Sequence, residues 1–296
     1  MSARLVKEER LAVNGNRSFF LVTLFVVCLM NEKSLYLTLT PKTIELVPVV
    51  NVFTEIDSTN AESLRRIKRG ERGGFLIASS AQSAGRGRRG REWLSSANAG
   101  LYMSLALPFP AAVTNLQALS LVTALSVHEA LKSLYSLELQ LKWPNDLLAE
   151  NKKLAGILLE RQQVEEGAVI VFGIGVNVNI PDSDKAQIDR PITDLSCLSG
   201  VAIEMNVLCG TIVNDLVDKV GLFCKKGFVP FQDRWNELDF YNGHEVAIED
   251  GNSRTVGKSL GVDESGCLKL QSAKGAITIG SGEIMPSLKL LPDSDR

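Results

Sequence analysis

The stretch Gln82-Ser83-Ala84-Gly85-Arg86-Gly87-Arg88-Arg89-Gly90-Arg91-Glu92-Trp93 places four arginines and three glycines within twelve residues. Its central part, 85–90, satisfies the G-x-G-x-x-G pattern of dinucleotide-binding folds, and the β-rich segment Phe75–Ser79 precedes it. In those folds the pattern opens a helix, and an acidic residue about twenty positions further on binds a ribose. The residues after Gly90 do not favour a helix, and no acidic residue stands at that distance. The stretch therefore argues against a dinucleotide-binding fold.

The chemistry of this stretch favours binding of a small polyanion. Glycines let the backbone approach a ligand closely, while guanidinium groups bind oxygen atoms in pairs. The alternatives are a solvent-exposed basic loop and a nucleic-acid surface. A nucleic-acid surface usually adds stacking aromatic side chains, and here Trp93 stands alone. With 32 basic and 34 acidic residues and a net charge of −2, the chain does not attract nucleic acid or anionic membranes by bulk charge.

On both sides of this loop, the chain alternates β-rich and helical segments. Apolar and β-branched runs predict strands at Val49–Ile56, Phe75–Ser79, Leu101–Leu107, Leu139–Trp143, Leu154–Arg161 and Ala168–Ile180. Apolar residues at helical spacing predict helices at about 115–136 and 207–223. A further predicted helix follows Thr59, which has the capping-box spacing to Glu62, and ends at Gly70. The pattern predicts an α+β fold, with a mixed β-sheet backed by helices in a domain of residues 49–239.

Residues 240–296 show a different pattern, with short strands and no helix. Val246 and Ile248 alternate with polar residues, and Asp250-Gly251 is a hairpin signal. Gly266 and Gly275 separate two further alternating segments. This part is predicted to be a second domain, a small β-barrel.

Residues 1–48 are predicted to be an N-terminal extension, and its status stays open. The apolar run Phe19–Met30 is twelve residues long, whereas a membrane-spanning helix needs about 20, and no A-x-A cleavage site follows it. These features favour a translation start at Met30, or a loose appendage, over a membrane anchor or a signal peptide. The five cysteines lie far apart without a C-x-x-C pair, which indicates reduced thiols and a cytoplasmic protein.

A second informative stretch is Lys142-Trp143-Pro144-Asn145-Asp146, followed by Lys152-Lys153-Leu154-Ala155-Gly156-Ile157. A strand ends at a proline-restricted turn that carries an amide and a carboxylate, and a lysine stands at the start of the next strand. Alone, this stretch is equally typical of a hairpin with an Asx-type turn. Ser58-Thr59-Asn60 has a similar alternative as a helix N-cap.

Taken together, these stretches resemble one family. Five stretches occur in the order found in biotin–protein ligases: Asp57–Asn60, Gln82 with its arginine–glycine loop, Lys142–Asp146, Lys153–Ile157 and Gly173–Asn177. The resemblance extends from about Val49 to the C-terminus. It implies a biotinyl/lipoyl-ligase-like catalytic domain followed by an SH3-like β-barrel.

The resemblance also implies a two-step reaction with biotin and ATP as substrates and Mg²⁺ as the accompanying ion. Biotin and ATP form biotinyl-5′-AMP and pyrophosphate, and a lysine of a biotin carboxyl carrier protein domain, typically of acetyl-CoA carboxylase, then accepts the biotinyl group. Two anions react, so fixed cations have to offset their repulsion.

The family's catalytic positions match Lys153, Arg88 and Asp146. Lys153 matches the lysine that contacts the reacting carboxylate and phosphate oxygens. Asp146 has three alternative roles: it holds Mg²⁺, orients a lysine, or receives a proton from the attacking amine. Trp93 is expected either to pack over the ligand or to belong to the core. The positions that match the biotin and ATP site are Ser58, Thr59, Asn60, Gln82, Arg86, Gly87, Arg88, Lys153, Gly156 and Asn177. No protein metal site is predicted, because the sequence has no metal-ligand spacing.

Bifunctional members of this family carry an N-terminal DNA-binding module, and nothing before Val49 has its paired amphipathic helices. We therefore expect a monofunctional ligase that acts on a carrier domain and binds neither a specific nucleic acid nor a membrane. A homodimer through an exposed sheet edge is left open. Lipoate–protein ligases are the nearest alternative, and they are expected to lack the arginine–glycine loop.

Overall fold

The computed structural model describes residues 30–250 and 253–285. Its helices are α1 (Glu32–Tyr36), α2 (Pro41–Leu46), α3 (Thr59–Lys68), α4 (Leu119–Tyr135), α5 (Asp182–Lys185), α6 (Leu195–Ser199), α7 (Met205–Lys226) and α8 (Val229–Leu238). Its strands are β1 (Val49–Phe53), β2 (Phe75–Ser79), β3 (Gly100–Pro110), β4 (Gln140–Lys142), β5 (Asp146–Ala149), β6 (Lys152–Val164), β7 (Gly167–Asn177), β8 (Glu245–Asp250), β9 (Ser253–Val262), β10 (Leu268–Ser272), β11 (Gly275–Ile279) and β12 (Glu283–Met285).

The first seven strands form one mixed sheet in the order β1-β2-β3-β7-β6-β5-β4. β1 and β2 are parallel, and every other neighbouring pair is antiparallel. The long strands β3 and β7 pair from Gly100↔Asn177 to Pro110↔Gly167, and most of their residues are buried. Because β3 and β7 lie in the centre of the sheet and are buried along most of their length, they appear in the sequence as nearly continuous apolar runs. The mixed sheet backed by helices confirms the predicted fold class.

Helices cover the two faces of this sheet unequally. Leu76 and Ala78 of β2 belong to the large core that also contains α4 and α7. Phe75 and Ile77 point to the other face, since side chains alternate along a strand, and they pack with Ile67 of α3 in a smaller cluster. The face that carries α3 is therefore only partly covered, which leaves room for a cleft beside this helix.

The N-cap of α3 lies one residue before the predicted cap. Ser58 is the N-cap, and its hydroxyl oxygen accepts a hydrogen bond from the N–H of Ala61 at 3.4 Å. Thr59 is the first helical residue, and its hydroxyl donates to Gln82 Oε1 instead. The prediction that Thr59 caps the helix was wrong, although the predicted end near Gly70 agrees with the C-cap at Arg69.

Residues 30–46 pack along α7. This segment contacts one face of α7. The residues on that face are spaced four apart: Asn206, Gly210, Asn214 and Asp218. The N–H of Asn31 donates to Asn206 Oδ1 at 3.1 Å, Asn214 Nδ2 donates to the carbonyl of Thr38 at 2.9 Å, and Lys42 pairs with Asp218. The predicted start at Met30 concerns residues 1–29, which lie outside the described residues.

The last five strands form a separate antiparallel sheet in the order β11-β10-β9-β8-β12. It is docked on the first part of the chain by partly buried polar contacts. Trp143 Nε1 donates to the carbonyl of Gly266 at 3.2 Å, and Asn115 Nδ2 donates to the carbonyl of Ser265 at 2.7 Å. The predicted turn after Asp250 falls on 251–252, outside the described residues, and the domain limit at 239/240 stays a prediction. Within 30–250 and 253–285, every helix is too short or too polar to cross a membrane.

Candidate functional site

A cleft with two connected compartments opens on the sheet face that carries α3. The inner compartment is lined by polar side chains around the start of α3 and by the middle of β6 and β7. The outer compartment continues below the segment 180–192 and reaches Glu283 of the second sheet. The residues that line both compartments are Gly87, Arg88, Trp93, Tyr102, Asn145 and Lys153.

The inner compartment has a connected hydrogen-bond network. Gln82 Oε1 accepts from the N–H and the hydroxyl of Thr59, at 2.9 and 3.2 Å, while Gln82 Nε2 donates to Ser95 Oγ at 2.8 Å. Ser104 Oγ lies 2.7 Å from Thr59 Oγ1 and 2.5 Å from Asn60 Oδ1, and its single proton is shared between these two acceptors. The oxygen of Ser58 serves as the helix cap, so its O–H remains to donate into the cleft. These partners fix the side chains in place before a ligand binds, which preserves binding free energy.

Asn60 is held from three sides. Its Nδ2 donates to Glu160 Oε2 at 2.9 Å and to the carbonyl of Leu158 at 3.3 Å, and its Oδ1 accepts from Ser104 at 2.5 Å. Gly173 on β7 leaves the room for it, since a Cβ there would lie 2.2 Å from Asn60 Oδ1. The Asn60 amide therefore has one defined orientation in the pocket.

The arginine–glycine stretch forms a closed loop over the cleft. The N–H of Trp93 donates to the carbonyl of Gly85 at 3.0 Å, and the N–H of Gly87 donates to the carbonyl of Arg91 at 2.8 Å. Gly85 has no space for a side chain, because a Cβ would lie 2.2 Å from the carbonyl oxygen of Trp93. Gly90 has φ +73°, a conformation that glycine adopts without strain. The glycines thus close the loop so that its arginines project from it.

The four arginines of this loop have different partners. Arg86 pairs with Glu160 at 3.0 Å, Arg89 with Asp250 at 3.4 Å, and Arg91 with Glu283 at 2.6 Å. Arg88 has no carboxylate within 4 Å in the described part of the chain, and its Nη1 donates to Asn145 Oδ1 at 3.2 Å. Burial lowers the pKa of Arg88, with the nearby Arg89 acting in the same direction. Arg88 is therefore a desolvated cation that faces both compartments and would gain from an anionic ligand.

Lys153 lies at the junction of the two compartments. Its Nζ is 2.7 Å from Asp146 Oδ1, and both side chains are mostly buried. It also lies 5.2 Å from the centre of the Trp93 ring. Asn145 holds the turn beside this pair, because its Nδ2 donates to the carbonyl of Ile157 at 2.8 Å and the N–H of Ile157 donates to its backbone carbonyl at 3.0 Å.

The backbone of Lys153 is fixed by the segment that forms the far wall of the outer compartment. Its N–H donates to the carbonyl of Pro191 and its carbonyl accepts from the N–H of Thr193, both at 3.0 Å. Asn177 Nδ2 donates to the carbonyls of Lys153 and Thr193, at 3.2 and 3.0 Å. The amide of Asn177 thus holds the wall together, and a contact of this residue with a ligand stays a prediction.

The structure brings the residues singled out from the sequence to one place. Those in the inner compartment are Ser58, Thr59, Asn60, Gln82, Arg86, Gly87, Arg88, Lys153 and Gly156. Asp146 and Asn177 line the outer compartment. Their roles toward ligands stay predictions, although their proximity was expected from motifs up to about a hundred residues apart in the sequence.

Sequence reasoning missed several contributors to the cleft: Ser95, Ser104, Tyr102, Glu160 and Glu283. None of them stands in a stretch of unusual composition. Ser104, Glu160 and Glu283 contribute through partners that are distant in sequence. The one local signal was the position of Glu160 in the predicted strand Leu154–Arg161, seven residues after Lys153. An odd-numbered offset puts two strand residues on opposite faces, so that signal alone would have pointed away from the cleft.

No group of three or more histidine, cysteine, aspartate or glutamate side chains converges on a metal position within residues 30–250 and 253–285. The carboxylates of the outer compartment are Glu92, Asp146, Asp184, Asp189 and Glu283. Carboxylates spread singly around a cleft, as these are, do not form a closed site for Mg²⁺, an ion that keeps water molecules as several of its ligands.

A polar pocket that opens into a larger cleft lined by lysine and arginine side chains is typical of a protein that binds small anionic ligands. The model of the biotin/lipoate A/B protein ligase family matches residues 52–177. The bifunctional ligase/repressor BirA of Escherichia coli is 33% identical over 244 residues, which cover 82% of this chain and 74% of that relative. The biotin--[acetyl-CoA-carboxylase] ligase of Paracoccus denitrificans is 31% identical over 77% of this chain and 96% of its own length.

Among solved structures, the biotin protein ligase from Aquifex aeolicus in complex with biotin and ATP superposes with a TM-score of 0.69 and 32% identity, over 80% of this chain and 97% of that chain. The chain therefore belongs to the biotin/lipoate A/B protein ligase family. The resemblance predicted from the sequence is confirmed.

Proposed function

We propose that this chain is an ATP-dependent ligase that activates biotin as biotinyl-5′-AMP and transfers the biotinyl group to a lysine of a biotin carrier domain. The observation that carries this proposal is the position of Lys153 and Arg88 at the junction of a polar pocket and a larger cleft. Two ligands that meet at this junction would place their reacting anionic groups between the two cations.

The inner compartment suits the biotin ring system. A ureido group has a carbonyl that accepts hydrogen bonds and two N–H groups that donate them. Ser58 supplies a hydroxyl donor, and the second lone pair of Asn60 Oδ1 is an acceptor. The aromatic rings of Trp93 and Tyr102 line the pocket beside these groups. Pockets of this composition use the few polar groups to fix the orientation of a ligand.

The activation step joins two anions. A carboxylate oxygen of biotin forms a bond to the α-phosphorus of ATP, and the bond from that phosphorus to the pyrophosphate oxygen breaks. Lys153 and Arg88 lie where they stabilise the negative charge on the phosphorane-like transition state. Asp146, 2.7 Å from Lys153 Nζ, orients the ammonium group toward the junction. Of the three roles open for Asp146 from sequence, this contact favours orientation of the lysine.

The transfer step needs protection of the intermediate. The mixed anhydride of biotin and AMP hydrolyses if water reaches it, and the loop 85–93 covers the junction. A carrier lysine then attacks the acyl carbon as the neutral amine, the bond to the AMP oxygen breaks, and the amine proton is released. Arg86 and Arg88 hold the phosphate of the leaving AMP.

The remaining parts of the proposal concern ions, partners and location. Mg²⁺ accompanies ATP, and the carboxylates of the outer compartment are its protein contacts. The partner is a carrier domain of a biotin-dependent carboxylase. The Paracoccus relative supports this choice, because it is named as a ligase of biotin and acetyl-CoA carboxylase. Since ATP is a substrate, we place the reaction in the cytoplasm. Whether the chain forms a homodimer, and whether it acts without binding an operator, stay predictions.

The test is biotin-dependent ATP–pyrophosphate exchange by the purified full chain, with lipoate as the competing substrate. We expect exchange that requires biotin and Mg²⁺ and ignores lipoate. The Lys153→Met variant should lose at least about 100-fold in rate, the usual effect of removing one charge-stabilising group. The Lys152→Met variant, whose lysine neighbours Lys153 on the exposed side of the strand, is the matched control. A folded chain without exchange would overturn the proposal.

A further inference from the structure

Trp93 separates the two compartments of the cleft and lines both of them. It comes at the end of the arginine–glycine loop, and the residues of that loop set its backbone position. The N–H of Trp93 donates to the carbonyl of Gly85, and the N–H of Gln82 donates to the carbonyl of Ser95, both at 3.0 Å. Any change in the conformation of the loop is therefore passed to the indole ring.

The indole ring rests on a floor of two glycines. Gly156 on β6 and Gly175 on β7 are direct partners in the sheet. A Cβ at Gly156 would lie 2.8 Å from Trp93 Cζ3, and a Cβ at Gly175 would lie 2.6 Å from Trp93 Cε2. Even a methyl group at either position would push the ring away. The absence of side chains at these two glycines thus lets the ring pack directly against the sheet.

The ammonium group of Lys153 lies over this ring. Its Nζ is 5.2 Å from the ring centre, within the distance at which a cation is attracted by an aromatic face. The carboxylate of Asp146, at 2.7 Å, is the second contact of the ammonium group. The Lys153 side chain is only 12% exposed, so both contacts act with little screening by water.

Within the described residues, no hydrogen bond holds the ring itself. Trp93 Nε1 is buried and has no acceptor within the described residues. The ring is therefore positioned by the loop backbone, by the glycine floor and by the contact with Lys153. A ring held in this way moves when the loop moves, and the ammonium group loses one of its two contacts.

We propose that Trp93 is a positioning residue for Lys153, which transmits the conformation of the arginine–glycine loop to the ammonium group. This inference rests on the proposed function and deepens it. When the loop closes over bound ligands, the ring fixes the ammonium group at the junction. When the loop opens, Lys153 keeps only Asp146, and adenylation is slow.

The kinetic test compares the Trp93→Phe and Trp93→Leu variants in biotin-dependent ATP–pyrophosphate exchange. Phenylalanine keeps an aromatic face, so we expect kcat within about threefold of the wild-type value. Leucine removes that face, and we expect kcat to fall about tenfold or more, with the KM for biotin changed by less than about threefold. Equal kcat values for Trp93→Leu and the wild type would overturn the inference.

A second variant tests whether the effect passes through the ring position. Gly175→Ala adds a methyl group where the ring now lies, and should reduce kcat about as much as Trp93→Leu does. In the Trp93→Leu background, the same Gly175→Ala change should have almost no further effect, because no ring remains to be displaced. Losses that multiply in the double variant would contradict the mechanism.

The contact itself can be observed without activity. The other two tryptophans, Trp143 and Trp235, are fully buried, and the difference between wild type and Trp93→Phe isolates the fluorescence of Trp93. In the wild-type background, Lys153→Met should change the emission of Trp93. In the Trp93→Phe background, the same substitution should leave the emission unaltered. Unchanged emission would overturn the inference.

The two assays together separate this inference from the proposed function. If the wild-type chain shows this contact but no exchange, the proposed function fails and the contact stands. If it shows exchange without the contact, only the present inference fails.

Discussion

Arg91 and Glu283 form a two-point ion pair between the loop of the first sheet and the last strand of the second. Arg91 Nη1 lies 2.6 Å from Glu283 Oε1, and Arg91 Nη2 lies 2.7 Å from Oε2. Burial raises the pKa of Glu283, but the hydrogen bonds and charge of Arg91 outweigh this and lower it on balance. The second sheet therefore holds the cleft loop by a carboxylate that stays charged.

Replacement of Glu283 by glutamine should loosen the loop while keeping the size of the side chain. A partly exposed ion pair of this kind contributes about 1 kcal/mol, so we expect ATP to bind about three- to tenfold more weakly. Titration of the chain with ATP in the presence of biotin measures this. Glu249→Gln is the control, because Glu249 pairs with Glu283 in the neighbouring strand of the same sheet. Glu249 contacts Arg89 through its backbone carbonyl, which the substitution leaves in place. Equal weakening in both variants would contradict the role of the ion pair.

Replacement of Arg88 by glycine should release the activated intermediate. Arg88 is the loop cation that faces the junction without a carboxylate partner in the described residues, so its loss removes the group expected to retain the adenylate phosphate. We expect biotin labelling of unrelated proteins with exposed lysines, at least about tenfold above the wild-type level. Mass spectrometry of a mixture with albumin detects it. Arg89→Gly, at a residue with φ 56° that contacts the second sheet, should stay near wild type. Labelling confined to the carrier would count against loop shielding.

Replacement of Gly173 by alanine should abolish tight biotin binding. The added Cβ would lie 2.2 Å from Asn60 Oδ1 and would displace this amide from its three partners. A displaced pocket residue that no longer pairs with the ligand lowers affinity by about tenfold or more. Calorimetric titration with biotin measures the affinity. Gly280→Ala is the matched control, since its nearest neighbour would be at an ordinary 3.6 Å. Unchanged affinity would show that Asn60 does not contact biotin.

The stability of the chain should depend on the ionisation of Asp239, which follows α8. Burial raises the pKa of this carboxyl to about 7, although the N–H of Tyr241 donates to its Oδ1 at 3.1 Å. The folded chain therefore holds a proton that the unfolded chain releases near pH 4. The free energy of unfolding is therefore highest below about pH 4 and falls as the pH rises to about 7. At roughly 1.4 kcal/mol per pKa unit, the total decrease is a few kcal/mol.

Asp239→Asn removes this ionisation and keeps the acceptor for Tyr241. Urea unfolding at pH 5 and pH 8 compares the two proteins. We expect the variant to be more stable than the wild type at pH 8 by about 1–3 kcal/mol, with a smaller difference at pH 5. An identical pH dependence of the free energy of unfolding in both proteins would show that Asp239 does not titrate in this range.

The sequence pattern was sufficient for those elements that have a long apolar run or apolar residues at helical spacing. The predicted strands at 154–161 and 168–180 correspond to β6 and β7, and the predicted helix at 207–223 lies within α7. α1 and α2 were missed because they are short and their stability comes from packing on α7 rather than from their own sequence. α8 was missed for a similar reason, since only Phe231 and Trp235 of this helix are buried.

The site was predictable where a residue acts through its own chemistry. Arg88 and Lys153 stand in stretches whose composition is unusual, and the motif order placed them together. Glu160 and Glu283 were not predictable, because each acts as the partner of an arginine from another part of the chain. Trp93 was visible, but its partner Lys153 could only be identified once the register of β6 and β7 was known.

The pairing of the cleft's cations also determines how the chain responds to salt. The outer compartment is lined by Arg88, Arg91, Lys153 and Arg190, and by about as many carboxylates. Such a surface has little net potential beyond one Debye length of about 8 Å, so it neither draws polyanions from a distance nor accelerates their encounter. Nucleotide selection then depends on short-range fit inside the cleft, and capture rates should be almost insensitive to ionic strength.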